Sequence, residues 1–171
     1  MISIAKVTKE QSQPLSELSR ITFLESHGHS AAAEDINNFI AENYNEVALK
    51  KELQDVKNIF HILYYNNKAA GLSKIILNYS HPNCKIENVA KLERIYLLKE
   101  FYDLRLGQQL LDFNINLIKE NNQAGVWLFV WLENERAIHF YKKNGFVVIG
   151  NFEYKISETH SNPNHQMILY L

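Results

Sequence analysis

The sequence predicts a single α/β domain built on a mixed sheet that is antiparallel at its start. Three observations carry this expectation. The segment "VWLFVWL" (126–132) is apolar at every position, as a strand covered on both faces requires. It follows a helical stripe of Leu106, Leu110, Leu111, Asn114, Leu117 and Ile118, itself preceded by the strand-like "VAKLERIYLL". Such a strand–helix–strand unit makes two parallel neighbours through a right-handed crossover. Earlier in the chain, "NIFHILYY" and "AAGLSKIILNY" flank Asn66-Asn67, residues that tolerate the positive φ of a tight hairpin.

The remaining elements follow in order. "ISIAKV" alternates apolar and polar residues and predicts a first strand. "KEQSQPLSELSRITFLESH" places Leu15, Leu18, Ile21 and Phe23 or Leu24 at helical spacing, with Pro14 admissible in a first turn. "AAEDINNFIAENYNEVALKKELQ" continues helical in two pieces. "NERAIHFYKKN" predicts a helix stopped by Gly145 as a left-handed cap. "FVVIGNFEYKI" and "HQMILYL" are the last strands, with "SNPN" between His160 and His165 read as their turn.

At 171 residues and 46% hydrophobic composition, the chain fits one domain, 1–171, with a sizeable core. A formal charge of -1 gives no global field, which argues against a nucleic-acid partner. The start lacks a secretion-signal pattern, and no apolar run approaches the roughly 20 residues that span a bilayer. The single cysteine, Cys84, has no internal partner, which fits a reducing, cytoplasmic setting.

The first candidate site is "LERIYLLKEFYDLRLGQQLL", a strand, a short loop and a helix. A helix start exposes unpaired N–H groups and a positive dipole end, so it can hold phosphate without a basic residue. Asp103 is a candidate cap for this helix, and Gly107 would admit a ligand close to the backbone. A capped helix with a packing glycine is the competing reading. The second is "WLFVWLENERAIHFYKKNGF", with Asn134, Ala137, Phe140, Tyr141, Gly145 and Phe146 at fixed spacing.

With these two motifs the chain resembles the GNAT superfamily of N-acyltransferases. Its late signature, N-x-x-A-x-x-F-Y-x-x-x-G-F, is matched at all six of those positions. Its earlier loop, Q/R-x-x-G-x-G/A, aligns with Tyr102 to Gly107. Here Tyr102 replaces Gln or Arg, Arg105 replaces the first glycine, and only Gly107 is kept. Over roughly residues 90–150 the chain looks similar to the PaiA-type spermine/spermidine N-acetyltransferases.

The resemblance implies a GNAT fold: a mixed, mostly antiparallel sheet whose central parallel pair splays around the acyl-CoA site, with helices on both faces. It implies acetyl-CoA as co-substrate, and no metal. Ile95, Tyr96 and Leu97 would pair with the pantetheine arm through their backbone, in a strand that carries the family's bulge. The N–H groups of Tyr102, Asp103, Leu104, Arg105, Leu106, Gly107 and Gln108 would hold the pyrophosphate. Asn134 would bond a pantetheine amide, and Lys142 or Lys143 would contact a phosphate, against a plain reading as solvated lysines. Arg105 is expected to keep a right-handed backbone and to reach a phosphate with its guanidinium.

Acetyl transfer needs a neutral amine, because an ammonium with pKa of about 10 has no lone pair. Glu93 matches the strand carboxylate of the polyamine-acetylating branch and is the candidate base; a salt bridge to Lys91 or Arg94 is its alternative. Tyr141 is the candidate acid, because a phenol stays protonated at neutral pH and can donate to a thiolate. Between Arg20 and Lys50 no lysine or arginine occurs, whereas Glu25, Glu34, Asp35, Glu42 and Glu46 do. Glu25, Glu34 and Asp35 are the candidates for a polyamine's distal ammonium, against an ordinary solvated face. His27 and His29 lack the acids or cysteines that would complete a metal site, and His139 belongs to a helix surface.

The leading expectation is thus acetyl-CoA-dependent acetylation of a polyamine such as spermidine or spermine. The alternatives are a protein, peptide or other small amine, or a non-catalytic acyl-CoA sensor. Family members often pair through their late strands, so a homodimer is a further expectation.

Overall fold

A computed structural model describes residues 1–171. Seven strands form one sheet in the order β1-β2-β3-β4-β5-β7-β6. They are β1 (Ile2–Lys6), β2 (Asn58–Tyr65), β3 (Lys68–Ile76), β4 (Val89–Leu97), β5 (Gly125–Trp131), β6 (Val147–Lys155) and β7 (Ser161–Tyr170). The helices are α1 (Ser12–His27), α2 (Ala33–Asn43), α3 (Glu46–Gln54), α4 (Leu106–Glu120) and α5 (Glu135–Lys143). Every neighbouring pair is antiparallel except β4 and β5, which are parallel. This is the mixed α/β architecture that the sequence predicts.

The β2–β3 hairpin turns at Asn66 and Asn67, with φ of 49° and 65°, as the dipeptide predicts. Gly145 adopts φ 88° just beyond α5 and closes it as a left-handed cap. α1 is preceded by a short 3-10 turn at Lys9–Gln11, and Pro14 sits in its first turn. Leu15, Leu18 and Phe23 are buried on its inner face, whereas Ile21 and Leu24 face solvent. Ser16, Ser19 and Thr22 complete the buried stripe; Ser16 donates its hydroxyl to Tyr44 O at the end of α2, and Thr22 returns its own to Leu18 O.

One element differs from the sequence expectation. "SNPN" is the start of β7 rather than a turn, and the chain reverses at 156–160 instead. Pro163 is tolerated at the end of the β5 pairing: its carbonyl still accepts from Leu132 N–H at 2.9 Å, and only the return bond of that last rung is lost.

Two apolar layers cover the sheet. α1, α2 and α3 pack on one face through Leu15, Phe23, Ile36, Phe39 and Leu49, against Phe60, Ile62 and Leu72. α4 and α5 cover the other through Leu111, Ile118 and Tyr141, against Ile75, Leu92, Val126 and Leu128. Asn114 is the polar member of the α4 stripe, and it is fully bonded: it donates to Leu110 O and accepts from Ser73 Oγ. No helix is long and apolar enough to cross a membrane.

Candidate active site

β4 and β5 are paired only from Val89–Gly125 to Lys91–Trp127. Beyond Lys91 the two strands part, while β4 keeps its other edge on β3 as far as Leu97. The cause is written in the register. Lys74 of β3 faces Arg94, and the next residue, Ile75, faces Leu92, so Glu93 is an extra residue with no partner of its own. Such a bulge bends its strand and turns adjacent side chains to one face. The bulge expected in this strand is therefore present, at Glu93.

The gap opens into a cleft of about 760 Å³ whose wall includes Ile95, Tyr96 and Leu97 of β4 and Val130 and Trp131 of β5. The cleft is continued by the loop from Leu98 to Arg105 and the start of α4. Asp103 and Arg105 both have left-handed backbones, with φ of 65° and 58°. The right-handed conformation expected at Arg105 is thus wrong. The position keeps the geometry for which the family motif uses glycine, although a Cβ there costs about 1–2 kcal/mol.

Asp103 does not cap α4 either. Arg105 occupies the cap position, no side chain bonds the helix start, and Asp103 instead accepts from Arg136 at 3.1 Å. The consequence is a run of free donors. From Asp103 through Gln108, six successive backbone N–H groups have no partner in the protein. Tyr102, expected among them, donates to Lys99 O. Successive free donors at a helix start suit a pyrophosphate, whose oxygens can accept several such bonds.

Other predicted residues distribute as follows. Tyr102, Asp103, Arg105, Leu106, Gly107, Gln108 and Asn134 line the cleft. Leu104 and Lys143 do not; both side chains are exposed, although the expectation for Leu104 concerns its backbone N–H. Asn134 caps α5 by accepting from Ala137 N–H at 3.2 Å, which leaves its Nδ2 free to donate to a ligand. Arg136 was missed: it lies two residues beyond Asn134, and its guanidinium stacks over the Tyr102 ring at 4.1 Å.

Glu25, Glu34 and Asp35 lie outside the cleft wall. Glu25 accepts from Lys99 N–H at 2.8 Å and so ties α1 to the loop before α4. Glu34 and Asp35 occupy the first turn of α2, where their charge complements the helix dipole. The acidic residues that do line the cleft are Glu52, Glu93 and Asp103. Glu52 and Glu93 belong to a network with three cations. Lys74 bridges both acids, Lys91 reaches Glu93 at 3.2 Å, and Arg94 reaches Glu52 at 2.9 Å.

The cations are held by packing as well as charge. Lys91 Nζ sits 5.1 to 5.4 Å from the rings of Tyr79, Trp127 and Phe129, and Arg94 lies 4.9 Å from Tyr44. Burial alone would raise the Glu93 pKa, but the attraction of Lys74, Arg94 and Lys91 overrides it and holds the carboxyl at about 2. Tyr141 is buried on α5 and reaches the cleft; burial raises its pKa, and its hydroxyl has no partner in the protein. The wall also gathers Tyr44, Tyr154 and His27, which no local motif could announce because they come from separate elements. No three His, Cys, Asp or Glu side chains come together as a metal-ligand set.

Comparison with known proteins agrees with this geometry. The Acetyltransferase (GNAT) family pattern matches residues 14–146. An uncharacterised N-acetyltransferase of Lactobacillus delbrueckii subsp. lactis is 30% identical over 144 residues, 84% of this chain and 83% of that protein. A spermidine N(1)-acetyltransferase of Thermoplasma acidophilum is 26% identical over 147 residues, 86% and 89% of the two chains. Among solved structures, a PaiA N-acetyltransferase from Thermoplasma acidophilum in complex with coenzyme A superposes with a TM-score of 0.76 at 20% identity, covering 100% of this chain and 99% of that one. The orphan donors of the α4 start, the splayed strands and the matched pattern have one common account: the chain belongs to the GNAT acetyltransferase family and is an acetyl-CoA-dependent N-acetyltransferase.

Proposed function

We propose that the cleft transfers the acetyl group of acetyl-CoA to a primary amine of a polyamine such as spermidine or spermine, by direct attack of the neutral amine. The run of six unpartnered N–H groups beside the β4–β5 gap supports this most, because it offers the coenzyme a built anchor. The similarity to a spermidine acetyltransferase supports the acceptor class.

In this reading the free backbone edge of Ile95, Tyr96 and Leu97 takes the pantetheine arm as an added strand. The donors from Asp103 to Gln108 hold the phosphates, joined by the guanidinium of Arg105. Binding both reactants in one cleft removes the entropy cost of their encounter. Tyr141 stays protonated because burial disfavours its phenolate, and it donates to the departing sulfur. Glu93, ionised throughout the neutral range, orders water at the bulge and draws the ammonium in. A homodimer through the edge strand β6, with its exposed Val147, Val148 and Phe152, and a cytoplasmic setting belong to the same reading; sedimentation velocity tests the dimer.

A second acceptor class has its own observation. Lys74, Lys91 and Arg94 outnumber Glu52 and Glu93 by one charge, and all five line the cleft. A net cation repels a polycation and welcomes an amine that also carries a carboxylate, such as an amino acid or peptide. One screen separates the readings: purified protein and acetyl-CoA, with thiol release measured against polyamines, amino acids, aminoglycosides and N-terminal peptides. Spermidine or spermine should give the highest kcat/KM. Preference for carboxylate-bearing amines selects the second class, and coenzyme binding with no turnover of any amine selects a sensor.

A further inference from the structure

The geometry points to His27 as the group that takes the proton from the attacking amine, a role that rests on the acetyl-transfer reading above. His27 ends α1 and lies across the mouth of the strand gap. Its ring stacks on Phe23 at 4.9 Å and touches both arms of the splay, Tyr96 of β4 and Trp131 of β5, each at 5.9 Å. It is part of the cleft wall, and neither cation nor carboxylate pairs with it.

The hydrogen bonds around the ring favour one tautomer. Ser26 Oγ lies 2.7 Å from His27 Nδ1 and 2.8 Å from Thr22 O. A carbonyl can only accept, so the one hydroxyl proton goes to Thr22 O, the usual return bond of a helical serine. In that arrangement His27 Nδ1 carries the hydrogen and donates to Ser26 Oγ. This leaves Nε2 with its lone pair, unpartnered in the protein and not sealed from the cleft. Burial, aided by the neighbouring His29, lowers the pKa of the ring to about 4. The ring is therefore neutral at pH 7; as a weak base it holds a captured proton only in transit, so its contribution rests on where Nε2 is placed.

The step balances. As the amine nitrogen bonds the acetyl carbon and the C–S bond breaks, nitrogen gives one proton to Nε2. Sulfur leaves with the bonding pair and takes one proton from Tyr141. Water then returns the imidazolium proton to the phenolate, so both side chains are restored. Glu93 serves this step less well, because both of its oxygens are already engaged, one by Lys74 and the other by Lys91.

Two measurements decide the assignment. Long-range ¹H–¹⁵N NMR of the native chain at pH 7 should show His27 protonated at Nδ1 and bare at Nε2. A hydrogen on Nε2 overturns the proposal. Kinetics then use spermidine, or the fastest amine of the screen above if spermidine is not acetylated. His27→Phe, which keeps the stack on Phe23, should lose roughly 10²-fold in kcat with the acetyl-CoA KM within about twofold. His27→Ala should recover part of its rate with free imidazole, a response that a packing role cannot give. Native kcat in His27→Phe, or no imidazole recovery, overturns the proposal while leaving acetyl transfer intact. A native chain inactive with every amine overturns the transfer reading itself, and this role with it.

Discussion

Arg105 shows how a single residue can be read correctly in kind and wrongly in geometry. Its alignment with a motif glycine marks a position of positive φ, and the chain adopts φ 58° there despite the side chain. Arg105→Gly should therefore raise stability by about 1 kcal/mol, seen as a Tm higher by a few degrees. Arg105→Ala keeps the strain and loses the guanidinium, so it should weaken coenzyme binding without stabilising the chain. Equal Tm in the two variants would refute the strain argument. At Tyr141, replacement by Phe removes only the transferable proton; kcat should fall about 10²-fold with acetyl-CoA affinity kept. Stopped-flow thiol release checks it, and native kcat would remove Tyr141 from the chemistry. Glu93 has its folded pKa depressed from 4.5 to about 2, so its ionisation adds stability above pH 4.5 that is lost as pH falls toward 2. Urea midpoints of the native chain and Glu93→Gln should converge across that window. A constant gap from pH 7 to pH 2 would show that the network adds nothing.

Among the elements, β4 carries the site, and its position depends on β3. A Cβ at Gly71 would meet Tyr96 O at 2.5 Å and Leu97 Cδ2 at 2.4 Å, so the backbone itself must shift. Gly71→Ala should cost about 1–3 kcal/mol in denaturant melts and raise the acetyl-CoA KM, because the displaced segment is the one expected to meet the pantetheine arm. An unchanged KM would detach Ile95, Tyr96 and Leu97 from coenzyme binding. α4 was legible to within a residue at each end, since a period of 3.6 governs its stripe. Its cap was not. Whether Asp103 turns toward the helix or toward Arg136 depends on where α5 lies, and α5 is 33 residues away in sequence along that contact.

For the whole molecule, a ligand that binds only the folded chain must stabilise it. Acetyl-CoA at 100 times its Kd should add about 2.7 kcal/mol, or a Tm rise of roughly 5–10 °C, before any acceptor is known. Differential scanning fluorimetry reads this directly, and no shift would remove the coenzyme site. The order of elements, the parallel pair, the hairpin and the family were fixed by the sequence alone, because periodicity, turn residues and the N-x-x-A-x-x-F-Y pattern are local along the chain. The acidic stretch from Glu25 to Glu46 was equally visible, yet its candidates fall outside the cleft. Sequence proximity says nothing about which face of a helix meets the gap. Only the tertiary structure decided that Glu52, Lys74, Lys91, Glu93 and Arg94, on α3, β3 and β4, meet as one charged network in the cleft. Likewise only packing brought His27 from α1 to the open arms of β4 and β5, against Tyr96 and Trp131. Burial and electrostatic fields are sums over neighbours from many elements, and those neighbours exist only once the sheet has closed around them.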